Sequence, residues 1–120
     1  MVNRKTYKVT RSAQAERDLD ALFDFLMASY ASLGDDIERG FDRAAARVAR
    51  IKGDLRELGQ TPHQGTLRTE MMPGLRSVTK DRAIFYFTVD DEARVVRVLA
   101  VFFGAQDHQR QMLRRLRKLK

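Results

Sequence analysis

Ala83-Ile84-Phe85-Tyr86-Phe87 and Val98-Leu99-Ala100-Val101-Phe102-Phe103 are two almost continuously apolar runs, and their reading decides the fold. Both are rich in β-branched and aromatic side chains, which suit a pleated surface. They are read as two strands, Arg82 to Val89 and Arg94 to Phe103, with Asp90-Asp91-Glu92-Ala93 as the polar turn between them. A strand wetted on one face alternates apolar with polar residues, so unbroken runs of this length predict a sheet covered on both faces. Leu75 to Thr79 supplies a further strand ahead of them, which completes a three-stranded antiparallel meander.

The covers are sought on either side of the meander. Ala15, Leu19, Leu22, Phe23, Leu26, Tyr30 and Leu33 recur every three or four residues, which predicts a helix that stops at Gly34. Asp35 and Asp36 place negative charge at the start of a second helix. Its apolar period runs through Ile37, Phe41, Ala44, Ala45, Val48, Ile51, Leu55 and Leu58 to Gly59, with Gly53 as a point of bending or breakage. So short a connection predicts an antiparallel helical hairpin, one cover of the sheet. The other is either a C-terminal helix from Asp107 to about Leu119, with Met112, Leu113, Leu116 and Leu119 as its apolar stripe, or a partner. Tyr7-Lys8-Val9-Thr10 reads as a first strand, and Gln60 to Gly74 as loop with a brief extended piece at Thr66-Leu67-Arg68-Thr69. The expected fold class is α+β: N-terminal strand, two-helix antiparallel hairpin, three-stranded antiparallel meander and basic C-terminal helix.

A length of 120 residues fits one domain over 1–120, and 43% apolar with 32% charged residues is globular rather than disordered composition. No run of apolar residues is long enough for a membrane span, and Met1-Val2-Asn3-Arg4-Lys5 leads into a polar segment, so a cytosolic protein with no membrane partner is expected. The absence of cysteine removes disulfides, thiolate metal sites and a cysteine nucleophile. His63 and His108 are too few and too far apart to suggest a metal centre, and no cofactor is expected. The formal charge of +7 is concentrated at the C-terminus, where Arg110, Arg114, Arg115, Arg117, Lys118 and Lys120 follow His108 without an acidic residue. Such a segment either attracts a polyanion or an acidic partner, or is a solvated tail.

Pro73-Gly74-Leu75-Arg76, Arg82-Ala83-Ile84-Phe85-Tyr86, Val95 to Leu99 and Gly104-Ala105-Gln106-Asp107 resemble in type and spacing the strand core of the RelE/ParE toxin superfamily. Ser12 to Leu19 is similar to the way these toxins begin their first helix. The resemblance spans nearly the whole chain and implies the toxin half of a type II toxin–antitoxin pair. In the RelE-like branch it implies an endoribonuclease acting on messenger RNA at the ribosome, where metal-free cleavage needs a base, an acid and cations beside the phosphate. Arg76 and Arg82 match basic positions of that pattern, with Tyr86 and His108 as further candidates. Gln106 and Met112 stand where the pattern has an arginine and a catalytic tyrosine. In the ParE-like branch the implied action is binding and stalling DNA gyrase, which needs no catalytic set. Gly104-Ala105-Gln106-Asp107 sides with that branch, which often has Gly-Ala-Arg-Asp preceded by histidine, and departs from it at Phe103 and Gln106.

The favoured expectation is thus a ParE-like toxin, neutralised by a cognate antitoxin and inhibiting gyrase. The alternatives are a ribosome-dependent ribonuclease and a diverged, non-toxic protein-binding module. Amphipathic helices on a small sheet leave an apolar groove and a free strand edge, so an antitoxin is expected at Leu19, Leu22, Leu26, Phe41 and Val48. Arg110, Arg114, Arg115 and Arg117 are the expected target-binding residues. Arg82 either meets a phosphate or marks the solvent edge of its strand, and His108 is either a general acid or an exposed first-turn residue. Phe85, Tyr86, Phe87, Phe102 and Phe103 are core residues or stacking platforms for bases, with Tyr86 set apart because a buried hydroxyl needs a partner.

Overall fold

The computed structural model describes residues 6–104 and 107–118. The elements are β1 (Lys8–Arg11), α1 (Ala13–Ser32), α2 (Ile37–Glu57), β2 (Thr66–Leu67), β3 (Arg76–Lys80), β4 (Ala83–Asp90), β5 (Val95–Phe103) and α3 (His108–Lys118). They form one five-stranded sheet in the order β1-β5-β4-β3-β2. The antiparallel meander is β3-β4-β5, and β1 adds to β5 in parallel, with Lys8 opposite Val95 and Arg11 opposite Val98.

Local chemistry sets the helix starts. The Ser12 side chain accepts a hydrogen bond from the Ala15 amide at 3.0 Å and caps α1. The Asp36 carboxylate does the same for α2 through the Arg39 amide at 2.8 Å. Gly53 does not break α2, which runs on to Glu57 with Ile51 and Leu55 on either side of it held in the core. Gly59 is required for another reason: a Cβ there would overlap the Tyr7 carbonyl, where the chain enters β1. The β3–β4 turn is Asp81-Arg82, with φ of 51° and 74°. Positive φ at both central residues is what a two-residue turn of type I′ demands, so Arg82 belongs to the turn and β4 starts at Ala83, with its apolar run, one residue later than the strand read from Arg82.

Both faces of the sheet are covered. α1 and α2 bury Leu19, Leu22, Leu26, Val48, Ile51 and Leu55 against Phe85, Phe87, Val96, Val98 and Val101. On the opposite face α3 places Met112 and Leu116 over Leu75, Ile84, Tyr86, Ala100 and Phe102. The second cover is therefore the chain's own helix. Full burial of each large apolar side chain contributes roughly 1.5–3 kcal/mol, so most of the stabilisation comes from these two interfaces.

A β-bulge makes the two-sided arrangement possible. Tyr86 faces Ala100 but Phe87 faces Val98, which leaves Leu99 as an extra residue in β5. Before the bulge Val96 and Val98 point to the hairpin; after it Val101 and Phe103 do, while Ala100 and Phe102 point to α3. Strict alternation would have put Val96, Val98, Ala100 and Phe102 on one face. The Ser12 hydroxyl donates to the Leu99 carbonyl at 3.2 Å, so the residue that caps α1 also holds the bulge.

Candidate functional site

Strand register separates the candidate residues into two groups. Cross-strand partners share a face, and Arg76 faces Phe87 whereas Ser77 faces Tyr86. Phe87 belongs to the hairpin core and Tyr86 to the α3 core. Arg76 therefore lies on the opposite side of the sheet from Tyr86, where its Nη1 donates to the carbonyls of His63 at 2.8 Å and Gln64 at 3.4 Å. Arg82, on the β3–β4 turn, also turns to the hairpin side, with its guanidinium 5.4 Å from the centre of the Phe103 ring.

On the α3 side Tyr86 is fully buried, and its hydroxyl lies 2.8 Å from Nδ1 of His108 in the first turn of α3. Burial pushes the Tyr86 hydroxyl above its ordinary pKa, Arg68 opposes that shift, and Glu70 adds to it. Arg68 is oriented by its Nε bond to the Ser77 hydroxyl at 2.9 Å. Tyr86 and His108 are thus brought together, with Arg68 and Ser77 as neighbours that sequence spacing did not reveal. Met112 is buried in the same layer, and Gln106 lies outside the described residues.

The four arginines expected to meet a target divide as well. Arg110, Arg114 and Arg117 are exposed on α3. Arg115 is turned inward, where its two Nη atoms reach the Asp18 carboxylate at 2.8 and 2.9 Å and its guanidinium lies 4.6 Å from the Phe102 ring centre. Asp18 also accepts the Val101 amide at 2.9 Å and Gln14 Nε2 at 3.0 Å. The Val101 amide needs that acceptor because β1 pairs with β5 only as far as Val98. Arg115 is consequently an internal cross-link between α3 and α1, with its side chain 30% exposed.

Of the residues expected to bind an antitoxin, Leu19, Leu22, Leu26 and Val48 are buried among themselves and the sheet, and Leu22 also borders a surface groove. Their helical spacing marked the right face but not what covers it. Phe41 is 52% exposed and stands edge-on to Phe23 at 5.4 Å. Phe25, 56% exposed, lies off the apolar period read for the first helix, whereas Ile37, on the period of the second, is 81% exposed instead of covered. Phe25 lines a groove of about 210 Å³ with Asp18, Leu22, Val101, Phe103 and Arg115, beside the part of β5 that β1 does not cover. His63 lies in a surface cluster, with Nε2 2.8 Å from the Asp91 carboxylate that also accepts the Tyr7 hydroxyl at 2.7 Å. Among the described residues no group of three or more His, Asp or Glu is placed to hold a metal ion, and no helix is long and apolar enough to cross a membrane.

No protein-family profile and no curated protein sequence matches the chain. Solved structures do. A chain of the chromosomal ParDE toxin–antitoxin system of P. aeruginosa superposes with a TM-score of 0.63 at 23% identity, over 84% of this chain and 99% of its own. The toxin–antitoxin complex RelBE2 of Mycobacterium tuberculosis gives 0.57 at 18% identity, over 82% and 99%. A mutant of the E. coli toxin RelE in the free state gives 0.57 at 16% identity, over 92% and 96%. The architecture described above is therefore the RelE/ParE toxin fold. Of these three structures the one from a ParDE system has the highest TM-score.

Proposed function

We propose that the chain is the toxin of a type II toxin–antitoxin pair, of the ParE-like kind, held inactive by a cognate antitoxin and directed at DNA gyrase. The observation that carries the choice of branch is the split of the nuclease candidates. Arg76 and Arg82 lie on the hairpin side, Tyr86 and His108 on the other, and α3 covers Tyr86. In-line attack by a 2′-hydroxyl needs its base, acid and phosphate-binding cations around one phosphorus atom, and this arrangement does not provide that. The likeness to the ParDE chain supports the same reading. A toxin that traps a protein complex needs only a rigid docking surface, and the exposed Phe25 in the groove beside the open end of β5 suits an antitoxin that adds a strand and inserts an apolar side chain, with Ile37 and Phe41 as further exposed apolar residues of α2.

Expression alone should arrest growth, co-expression of the antitoxin should restore it, and purified chain should inhibit supercoiling by gyrase. Undiminished supercoiling at excess chain would falsify the gyrase assignment. Ribosome-dependent RNA cleavage is the second reading, favoured by the Tyr86–His108 pair with Arg68 close by. It requires new transcript ends within coding regions on expression, and their loss in Tyr86→Phe.

A further inference from the structure

Met112 is buried in the layer between α3 and the sheet, and Met71 and Met72, half-buried, pack against that layer from the turn ahead of β3. The turn is pinned. The amides of Met71 and Met72 donate to the Arg68 carbonyl at 2.9 and 3.1 Å, and the Leu75 amide donates to the Met72 carbonyl at 3.1 Å. Pro73 and Gly74, next along it, stand in solvent. The two methionine side chains therefore leave a fixed backbone at the rim of the α3 layer, and water reaches both. Met27 offers a comparison, since it is also half-buried but packs in the hairpin core on the other face.

The chain has no cysteine, so all its oxidisable sulfur is thioether. A thioether fills apolar space much as leucine does and differs from it in one reaction. Toward a hydroperoxide, a sulfur lone pair attacks a peroxide oxygen, and the S–O bond forms as the O–O bond breaks. The sulfur gives up an electron pair, and the proton of the transferred hydroxyl goes to the departing hydroxide, which leaves as water. A polar, chiral sulfoxide then stands where an apolar contact was. An oxygen carried into an apolar layer without a partner disfavours the packed state, and the packed state at this rim is α3 on its sheet.

We propose that Met71 and Met72 are oxidation sites that set how firmly α3 is fastened. As thioethers they seal the rim of its layer, and as sulfoxides they loosen it. Tyr86 belongs to the same layer and its partner His108 to the first turn of α3, so the state of the two methionines also governs how well that pair is covered. This holds whichever target the chain has.

The full chain is treated with hydrogen peroxide, with peptide mass mapping to follow each methionine and amide exchange to follow α3. Met71 and Met72 should take up oxygen before Met112. Exchange in α3 should then quicken roughly tenfold while the centres of α1 and α2 hold. Methionine sulfoxide reductases for both sulfoxide epimers should restore slow exchange. Met71→Leu/Met72→Leu keeps the apolar contact; under the same treatment it should oxidise at Met27 and keep α3 fastened, with circular dichroism as the check that it folds. Each single replacement retains one thioether and should give an intermediate effect. Oxidation of Met112 ahead of the pair, α3 exchange unchanged once the pair is oxidised, a leucine variant that loosens as much as the wild type, or quickening spread equally over α1 and α2 would each overturn the proposal. The last would point to general oxidative damage instead.

Discussion

Replacing Asp18 with alanine should loosen α3 from the rest of the molecule. The carboxylate is buried and accepts four hydrogen bonds, from Gln14, the Val101 amide and both Nη atoms of Arg115. Removing one partner of a buried ion pair costs roughly 3–5 kcal/mol, because the other charge is left uncompensated. The Arg115 side chain is 30% exposed, so water recovers part of that and the ionic share falls to about 1–2 kcal/mol. The Val101 amide, stranded without an acceptor, adds about 1–2 kcal/mol. The sum is about 2–4 kcal/mol, a large part of the roughly 5–15 kcal/mol that stabilises a domain. Urea unfolding measures the total, and amide exchange reports whether the loss is concentrated in α3. Asp18→Asn keeps one acceptor and should cost about half as much, while Arg115→Met keeps the packing over Phe102 and tests the charge alone. Asp18→Ala within about 0.5 kcal/mol of the wild type, the scatter of ordinary surface substitutions, or exchange in α3 unaltered, would refute the assignment of Asp18 as the cross-link.

Ser12→Ala removes both the cap of α1 and a bond to the bulge, and should lower stability by about 1–2 kcal/mol in thermal or urea unfolding. Tyr86→Phe should cost about 1 kcal/mol and leave growth arrest intact, since its hydroxyl serves the internal contact with His108; a Tyr86→Phe chain that folds but no longer arrests growth would return the argument to RNA cleavage. Asp90 is held below the ordinary 3.8 by the Ala93 amide first and the Arg97 side chain second, and Asp91 by the Tyr7 hydroxyl first and then His63. Lowered folded pKa values give stability that is complete above the unfolded value and lost as pH falls through the folded one. The acid limb of a stability–pH curve should therefore begin near 3.8 and descend below it, less steeply in Asp91→Asn.

Much of this architecture is written in local chemistry. The two apolar runs announced a sheet covered on both sides, and the caps at Ser12 and Asp36 fixed the helix starts. Long-range pairing is not written that way: nothing near Lys8 states that it will lie beside Val95, because that contact closes almost the whole chain. Asp18 stood in plain view on the apolar face, between Ala15 and Leu22 at helical spacing, and its polarity there signalled a buried partner without naming Arg115. The candidate site divided for a similar reason. Whether Arg76 or Ser77 shares a face with Tyr86 depends on a one-residue choice of register, which residue types do not specify.

The bulge at Leu99 is, in effect, a reading-frame shift written into the protein. The hairpin face is read from even-numbered residues of β5 before it and from odd-numbered residues after it, so the extra residue decides which side chains the last part of the strand presents to each cover. Pairing the full strand without the bulge would send Val101 and Phe103 toward α3, and Ala100 and Phe102 toward the hairpin, whereas deleting Leu99 would restore plain alternation and keep every one of them on its present face. Among sequences of this fold, a strand one residue shorter at that point and free of the bulge should therefore present the same faces to the two covers.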